Sequence, residues 1–215
     1  MTKPILWTST HTSGTIVHQM AAMSGLDLDI RFISLRNGEH KTPEYLAINP
    51  KGEVAAIQIP DAGVSITEIP AMALWLADAA PASGLLPSDP LGRAKGMEWL
   101  AWCHFRMANT FYVAFQAKQL LPDDEAAATA LRAAALARAR EALAFADATL
   151  GQRPNGTLLG TPQVTAPDIF LVALLGFAGF LGLATDDLAH LKALGAKVAA
   201  VPAIAAALAR EQEIG

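Results

Sequence analysis

The stretch that decides the fold of this chain runs from Thr42 to Asp78 and reads TPEYLAINPKGEVAAIQIPDAGVSITEIPAMALWLAD. Its opening threonine and proline are typical of a helix start, because the hydroxyl caps free N–H groups and proline suits the first helical position. The Asn-Pro-Lys-Gly turn at residues 49–52 ends this helix. Two apolar strands around Asp61-Ala62-Gly63 follow, and then a helix from Pro70. The stretch therefore predicts a helix, a hairpin and a second helix.

The residues before this stretch alternate between strand and helix patterns. Pro4–Ser9 is a short apolar run suited to a buried strand, and Gly14–Ser24 has helical spacing that ends at Gly25. Residues 28–33 then alternate with the period of a strand. Residues 1–80 are therefore predicted to form an α/β domain of four strands covered by helices.

The rest of the chain reads as helix after a proline-rich linker at residues 81–90. Leu91–Leu121 and an alanine-rich stretch up to Leu150 predict two long antiparallel helices. Thr165 and Asp168 form a helix-capping pattern before an apolar run of 15 residues, which is shorter than the roughly 20 that a spanning helix needs. Residues 91–215 are therefore predicted to form an all-helical domain.

Composition disfavours several classes of function. The net charge is −4, from 16 basic and 20 acidic residues, and no basic cluster indicates binding to nucleic acid or to a membrane. The single cysteine, Cys103, excludes an internal disulfide and a Cys-X-X-Cys pair. The five histidines are scattered, so no metal site is expected. The apolar run at the N-terminus is too short for a signal peptide, which favours a cytoplasmic location.

Four motifs occur together at characteristic spacings: Pro43-Glu44-Tyr45-Leu46, Asn49-Pro50-Lys51-Gly52, Thr67-Glu68, and Thr165 three residues before Asp168. In this combination the chain resembles the glutathione S-transferase superfamily along nearly its whole length, and bacterial classes such as beta in particular. The resemblance implies a thioredoxin-like domain with a four-stranded mixed sheet, followed by the all-helical domain. It also implies glutathione as co-substrate, a hydrophobic small-molecule electrophile as second substrate, and a homodimer.

The resemblance implies that a hydroxyl at the start of the first helix activates the glutathione thiol. A thiol becomes a good nucleophile only when ionised, and a hydroxyl donor together with a helix N-terminus can stabilise the thiolate. Ser13 falls where the beta class carries a cysteine and close to the catalytic serine of related classes. Ser9, Thr10 and Thr12 are rivals in the same segment. Equally, Ser13 could simply cap the helix, and one residue can do both.

The resemblance also assigns the residues that hold glutathione. Glu68 corresponds to the acidic residue that receives the α-amino group of the γ-glutamyl end. Ile69 replaces the serine or glycine that usually helps to bind the γ-glutamyl carboxylate, which leaves only a backbone N–H at this position. Basic residues placed near the glycyl carboxylate are Lys41, Lys51 and His40.

A second departure from the family lies at Ala55, where most relatives have a cis-proline that turns the backbone of the preceding residue toward glutathione. A cis bond before a residue other than proline costs about 2.5 to 4 kcal/mol, so the sequence predicts a trans bond between Val54 and Ala55. A trans bond would turn the backbone of Val54 away from pairing with the cysteinyl part of glutathione.

The electrophile site of the family is formed by the loop after the first strand and by the long helix after the linker. The residues that match these positions are Trp7, Thr10, Arg106, Met107, Thr110, Phe111 and Phe115. An aromatic stripe at helical spacing is also typical of a core.

Two functions remain open on these grounds. The first is a glutathione transferase-like enzyme. The second, suggested by Ala55 and Ile69, is a binding protein that keeps the fold without conjugating activity. A thiol-disulfide oxidoreductase is disfavoured, because Cys103 lies in the middle of the chain.

Overall fold

The computed structural model describes residues 2–214 of the chain. They form two compact units, of which one runs to Ser88 and includes the chain from Ala199 onward, and the other is Asp89–Val198. The sequence pattern alone groups all of residues 91–215 together. The packing instead assigns the last helix to the first unit, because this helix lies against the first helix of the chain.

The first unit contains a four-stranded mixed sheet, as predicted. The strand order is β2-β1-β3-β4, with β1 parallel to β2 and antiparallel to β3, and β3 antiparallel to β4. Its elements are β1 (Ile5–Thr8), α1 (Gly14–Ser24), β2 (Asp29–Phe32), α2 (Pro43–Leu46), β3 (Ala56–Ile59), β4 (Val64–Ile66), α3 (Ile69–Ala79) and α9 (Pro202–Ile214).

Local sequence signals explain where the short elements begin and end. Thr42 accepts a hydrogen bond from the backbone N–H of Tyr45 and so caps α2, with Pro43 at its first position. Gly25 ends α1 in the left-handed conformation, with φ of 69°, which glycine adopts without steric cost. Both predictions are confirmed, and they fix the lengths of the connections between the strands.

The core of the first unit is formed by apolar side chains from the sheet and from the helices that cover it. Those without exposed surface are Leu6, Val17, Met20, Ala56, Ile57, Ala73 and Leu76. Burial of this size is the main favourable term in folding, at about 1.5 to 3 kcal/mol for each large side chain.

The second unit is entirely helical. Its elements are α4 (Pro90–Trp102), a π-helical segment (Cys103–Ala108), α5 (Asn109–Leu120), α6 (Glu125–Gly151), α7 (Ala166–Phe180) and α8 (Ala189–Ala199). The predicted helix Leu91–Leu121 is therefore present but is interrupted by the π-helical segment. Such segments are rare and are often found at functional sites.

The N-terminus of α7 is held by a buried carboxylate, as the capping pattern predicts. Asp168 is fully buried and accepts hydrogen bonds from the N–H and the hydroxyl of Thr165 and from the N–H of Leu158, at 2.5 to 2.8 Å. Burial raises the pKa of the Asp168 carboxyl above its ordinary value, although these hydrogen bonds oppose the change. The side chain therefore joins the loop before α7 to the start of that helix.

Within residues 2–214, each helix taken singly is too short or too polar to cross a bilayer. The pair α8 and α9 reaches the required length and apolar content only when its two members are taken together, and it is bent by 85°.

The start of α1 lies unusually close to the end of β1, and Gly14 permits this approach. A Cβ atom at Gly14 would clash with the hydroxyl of Thr8 and would lie 3.1 Å from the backbone nitrogen of Ser9 and from Oγ1 of Thr12. Thr8 is fully buried, so its side chain has little room to move. Glycine is therefore the residue that fits this position.

We expect Asp168→Ala to lower the free energy of unfolding by about 2 to 4 kcal/mol, because two buried N–H groups lose their acceptor. Urea denaturation measures this change. Asp186→Ala is the control, since the side chain of Asp186 is 99% exposed and its loss should cost less than about 0.5 kcal/mol. Equal losses in the two variants would contradict the structural role of Asp168.

We expect Gly14→Ala to lower the free energy of unfolding by about 1 to 3 kcal/mol, because the added methyl group overpacks the junction of α1 and β1. Gly176→Ala is the matched control in a helix. An added Cβ at Gly176 meets no atom within 4 Å, so alanine there should be neutral or stabilising by up to about 1 kcal/mol. A stable Gly14→Ala variant in the same urea titration would refute the close approach.

Candidate active site

Ser13 lies immediately before α1 and exposes its hydroxyl. Its backbone is already helical, with φ of −59° and ψ of −18°, and its side chain makes no capping hydrogen bond. Instead the hydroxyl donates to the carbonyl oxygen of Val54 at 3.3 Å. The side chain thus points toward the segment before β3, and capping of α1 is not its role in this structure.

The rival residues near Ser13 are less exposed than Ser13 itself. Ser9 is only 6% exposed. The hydroxyl of Thr12 donates to the carbonyl of Ser9 at 2.8 Å and accepts from the N–H of Gly14 at 3.0 Å. Thr10 is half-buried. Of the four residues considered for activation of the thiol, Ser13 is therefore the one that is both exposed and placed at the helix start.

The peptide bond between Val54 and Ala55 is cis, so the prediction of a trans bond is wrong. The residues on both sides of this bond are held by tertiary contacts. The carbonyl of Glu53 accepts hydrogen bonds from the hydroxyl of Tyr45 at 2.7 Å and from the side-chain amide of Asn49 at 2.6 Å, and β3 begins at Ala56.

The Tyr45 hydroxyl is suited to this donor role. Burial raises the pKa of Tyr45 to about 12, although the side-chain hydrogen bond with Asn49 opposes the change. The hydroxyl therefore remains protonated at neutral pH and donates to Glu53.

Glu68 joins β4 to α3 in a backbone conformation that is uncommon for a residue other than glycine, with φ of 68° and ψ of 124°. Its carboxylate lies 2.5 Å from Nζ of Lys51, which also donates to the hydroxyl of Thr67 at 2.9 Å. The side chains of Lys51 and Glu68 are 49% and 47% exposed. The structure thus places one cation and one anion together beside the N-terminus of α3, with Ile69 buried at its first position.

Lys41 precedes α2, and its side chain binds the turn that follows this helix. Its Nζ donates to the carbonyl of Gly52 at 2.8 Å. His40 precedes it and is half-buried. Lys41 therefore stabilises the turn at residues 49–52. The sequence did not show that Lys51 pairs with Glu68.

Trp7 is part of the sheet surface. Its indole N–H donates to the side-chain carbonyl of Gln58 at 3.2 Å, and its ring meets that of Tyr45 edge-on at 6.0 Å. The guanidinium of Arg31 lies over the same ring, 5.0 Å from its centroid. These contacts fix Trp7 on the strands and occupy its ring.

In the helical unit, the residues expected to line the electrophile site differ in exposure. Met107 and Phe111 have no exposed surface and form part of the apolar core, and their contact with a substrate stays a prediction. Arg106 is exposed, and Thr110 is half-buried and donates its hydroxyl to the carbonyl of Arg106 at 2.7 Å. Phe115 is 48% exposed. Arg106 and Met107 lie in the π-helical segment, which the sequence did not indicate.

Neither a reactive thiol nor a metal cluster is found among the described residues. Cys103 is fully buried, and burial raises the pKa of its thiol, so the sulfur remains protonated and is a poor nucleophile. Among residues 2–214, no group of three or more histidine, cysteine and acidic side chains is placed to bind a metal ion.

Comparison with known proteins identifies the family. The chain is 30% identical to a maleylacetoacetate isomerase of Pseudomonas aeruginosa over 199 aligned residues. The alignment covers 89% of each protein. It is also 30% identical to glutathione S-transferase GstA of Escherichia coli, over 86% of this chain and 85% of that protein.

A sphingomonad glutathione S-transferase, solved in complex with glutathione, superposes with a TM-score of 0.84 at 28% identity, over 97% of this chain and 98% of that one. No family model matches the chain. Its first unit is thioredoxin-like and its second unit is helical, as in these relatives. The chain therefore belongs to the glutathione S-transferase superfamily and is a glutathione transferase-like enzyme.

Proposed function

We propose that the protein binds glutathione on its first unit, holds the thiol as a thiolate beside Ser13, and presents it to a hydrophobic electrophile. The observation that carries this proposal is the exposed Ser13 hydroxyl at the start of α1, 3.3 Å from the carbonyl of Val54. The sphingomonad relative that was solved with glutathione supports the choice of ligand.

Ser13 supplies what a bound thiol needs in order to ionise. Lowering a thiol pKa by two units requires about 2.7 kcal/mol of preferential stabilisation of the anion. A hydroxyl that now donates to Val54 can turn to donate to sulfur, and a hydrogen bond to a charged acceptor contributes about 1.5 to 3 kcal/mol. The positive end of α1 adds up to about 1 kcal/mol. The hydrogen bond and the helix N-terminus together can therefore supply the free energy that the lowered thiol pKa requires.

The paired charges of Lys51 and Glu68 suit the γ-glutamyl end of glutathione, which carries an ammonium and a carboxylate on one carbon. In the proposal, Glu68 accepts from the ammonium, and the carboxylate lies near Lys51, Thr67 and the first turn of α3. A zwitterion can exchange partners with an exposed ion pair at little cost, because the pair itself is worth only about 0 to 1 kcal/mol.

The remaining elements of the proposal come from the family. The second substrate is a hydrophobic small-molecule electrophile, with Arg106, Thr110 and Thr10 as the exposed or half-buried residues proposed to contact it. We also propose that the protein acts in the cytoplasm as a homodimer, as a detoxifying conjugation enzyme.

We expect Glu68→Gln to weaken glutathione binding by about 10-fold or more, because the γ-glutamyl ammonium loses its charged partner. Calorimetric titration measures this change. Glu44→Gln is the control, since Glu44 is an exposed acid at the start of α2, and it should bind as the wild type does. A wild-type dissociation constant weaker than about 10 mM would contradict the proposed function.

We expect Ser13→Ala to retain glutathione affinity within about threefold and to lower turnover of a chloronitroaromatic substrate by about 100-fold, because the lost donor acts mainly on the thiolate. Steady-state kinetics and the ultraviolet absorbance of the bound thiolate measure these effects. Binding of glutathione without any turnover in the wild type would favour the alternative of a binding protein that keeps the fold.

A further inference from the structure

We propose that Glu211 and Thr15 are positioning residues for the thiol site, in that the Glu211 carboxylate on α9 holds the first turn of α1 and thereby the hydroxyl of Ser13. This inference rests on the proposed function, since it concerns the residue proposed to stabilise the thiolate. All of the residues involved lie in the first unit.

The carboxylate of Glu211 is buried and uses both of its oxygens. Its Oε2 accepts from the hydroxyl of Thr15 at 2.6 Å, and its Oε1 pairs with Nδ1 of His18 at 2.7 Å. Glu211 is only 5% exposed and His18 only 4%. An acidic side chain is almost never buried to this extent without partners, so the three groups form one fixed unit.

The two partners lie one above the other on α1. Residues three apart on a helix share a face, so a single carboxylate can bridge Thr15 and His18. The ring of His18 meets that of Phe32 on β2 edge-on at 5.4 Å. The guanidinium of Arg210, the residue before Glu211, lies 5.5 Å from the centroid of the same Phe32 ring. The helices α1 and α9 are thus both fixed against the sheet.

Thr15 transmits this restraint to Ser13. The N–H of Thr15 donates to the carbonyl of Thr12 at 3.1 Å, and the N–H of Ile16 donates to the carbonyl of Ser13 at 3.2 Å. Residues 12–16 therefore form one continuous turn that begins with Ser13 at its edge. A restraint on the Thr15 side chain fixes where this turn stands along the helix axis.

The hydrogen bonds to Glu211 restrain the position of α1 along its axis more closely than apolar packing alone would. An apolar contact between two helices permits small shifts along their axes, whereas short hydrogen bonds to both oxygens of one carboxylate define a single register. Displacement of a reacting group by about 1 Å can lower a rate by about 100-fold. The loss of this restraint should therefore act on thiolate formation more than on the affinity for glutathione.

Thr15→Val tests the inference, because it removes the hydroxyl and keeps the branched shape. We expect the pH profile of kcat/KM to shift upward by about 0.5 to 1 unit and kcat/KM at neutral pH to fall about 5- to 10-fold, with the glutathione dissociation constant unchanged within about twofold. Thr15→Ser restores the hydroxyl and should return the profile to that of the wild type.

Ser24→Ala is the matched control on the same helix. The Ser24 hydroxyl is also buried and donates to the carbonyl of Ala21 at 2.6 Å, but it lies at the opposite end of α1. This variant should lose stability without a shift of the pH profile. Glu211→Met, which removes both acceptors, should shift the profile at least as far as Thr15→Val does, and combining the two should add nothing further.

The inference is overturned if Thr15→Val has the wild-type pH profile, or loses only thermal stability as Ser24→Ala does, while Ser13→Ala shifts the profile. If Glu211→Met does not fold, the comparison of the valine and serine variants at position 15 still decides. Failure of the proposed function looks different, because the wild type itself would then neither bind glutathione nor turn over substrate, and the inference would fall with it.

Discussion

The close contact between the start of α1 and the end of β1 is the constraint on which the candidate site depends. Gly14 lets the helix begin against the buried Thr8, and the loop between them is closed by the hydrogen bonds of Thr12. The hydroxyl of Thr12 is used within the loop, whereas the exposed Ser13 at the helix start directs its hydroxyl out of the loop toward Val54. The helix N-terminus and a hydroxyl donor are thus presented together, which is the arrangement that an anion requires.

The segment before β3, which contains Glu53 and Val54, forms the opposite side of this site. Side chains from outside the segment hold its backbone. The carbonyl of Glu53 is held by Tyr45 and Asn49, which belong to the α2 region and its closing turn. The neighbouring bond between Val54 and Ala55 is cis. The family motif at residues 43–52 therefore acts as a support for the backbone that faces Ser13, in addition to any contact with ligand.

Two of the pairs that a nitrogen base forms with a carboxylate in the first unit, Lys51 with Glu68 and His18 with Glu211, differ in exposure. Lys51 and Glu68 are about half exposed and can exchange partners with a zwitterionic ligand. His18 and Glu211 are buried and fixed, and they restrain a helix. Such exposed contacts are weakened by water far more than buried ones, so the exposed pair suits the proposed exchange with a ligand and the buried contacts suit the proposed restraint of α1.

The sequence by itself determined the elements whose signals are local. The caps at Thr42, Gly25 and Thr165, the four strands and the helical second half all follow from residues within a few positions of one another, and each is confirmed. The resemblance to the family could also be read from motifs of this kind. Local backbone preferences and short-range hydrogen bonds do not depend on the rest of the fold, so a single sequence reveals them.

Only the tertiary structure decided the features that depend on residues far apart. The hydroxyl of Ser13 faces Val54, 41 residues away, and Thr15 meets Glu211, 196 residues away. The cis bond at Ala55, the burial of Met107 and Phe111, and the packing of α9 with the first unit are of the same kind. Their cause is long-range packing, which selects among conformations that the local sequence leaves nearly equal.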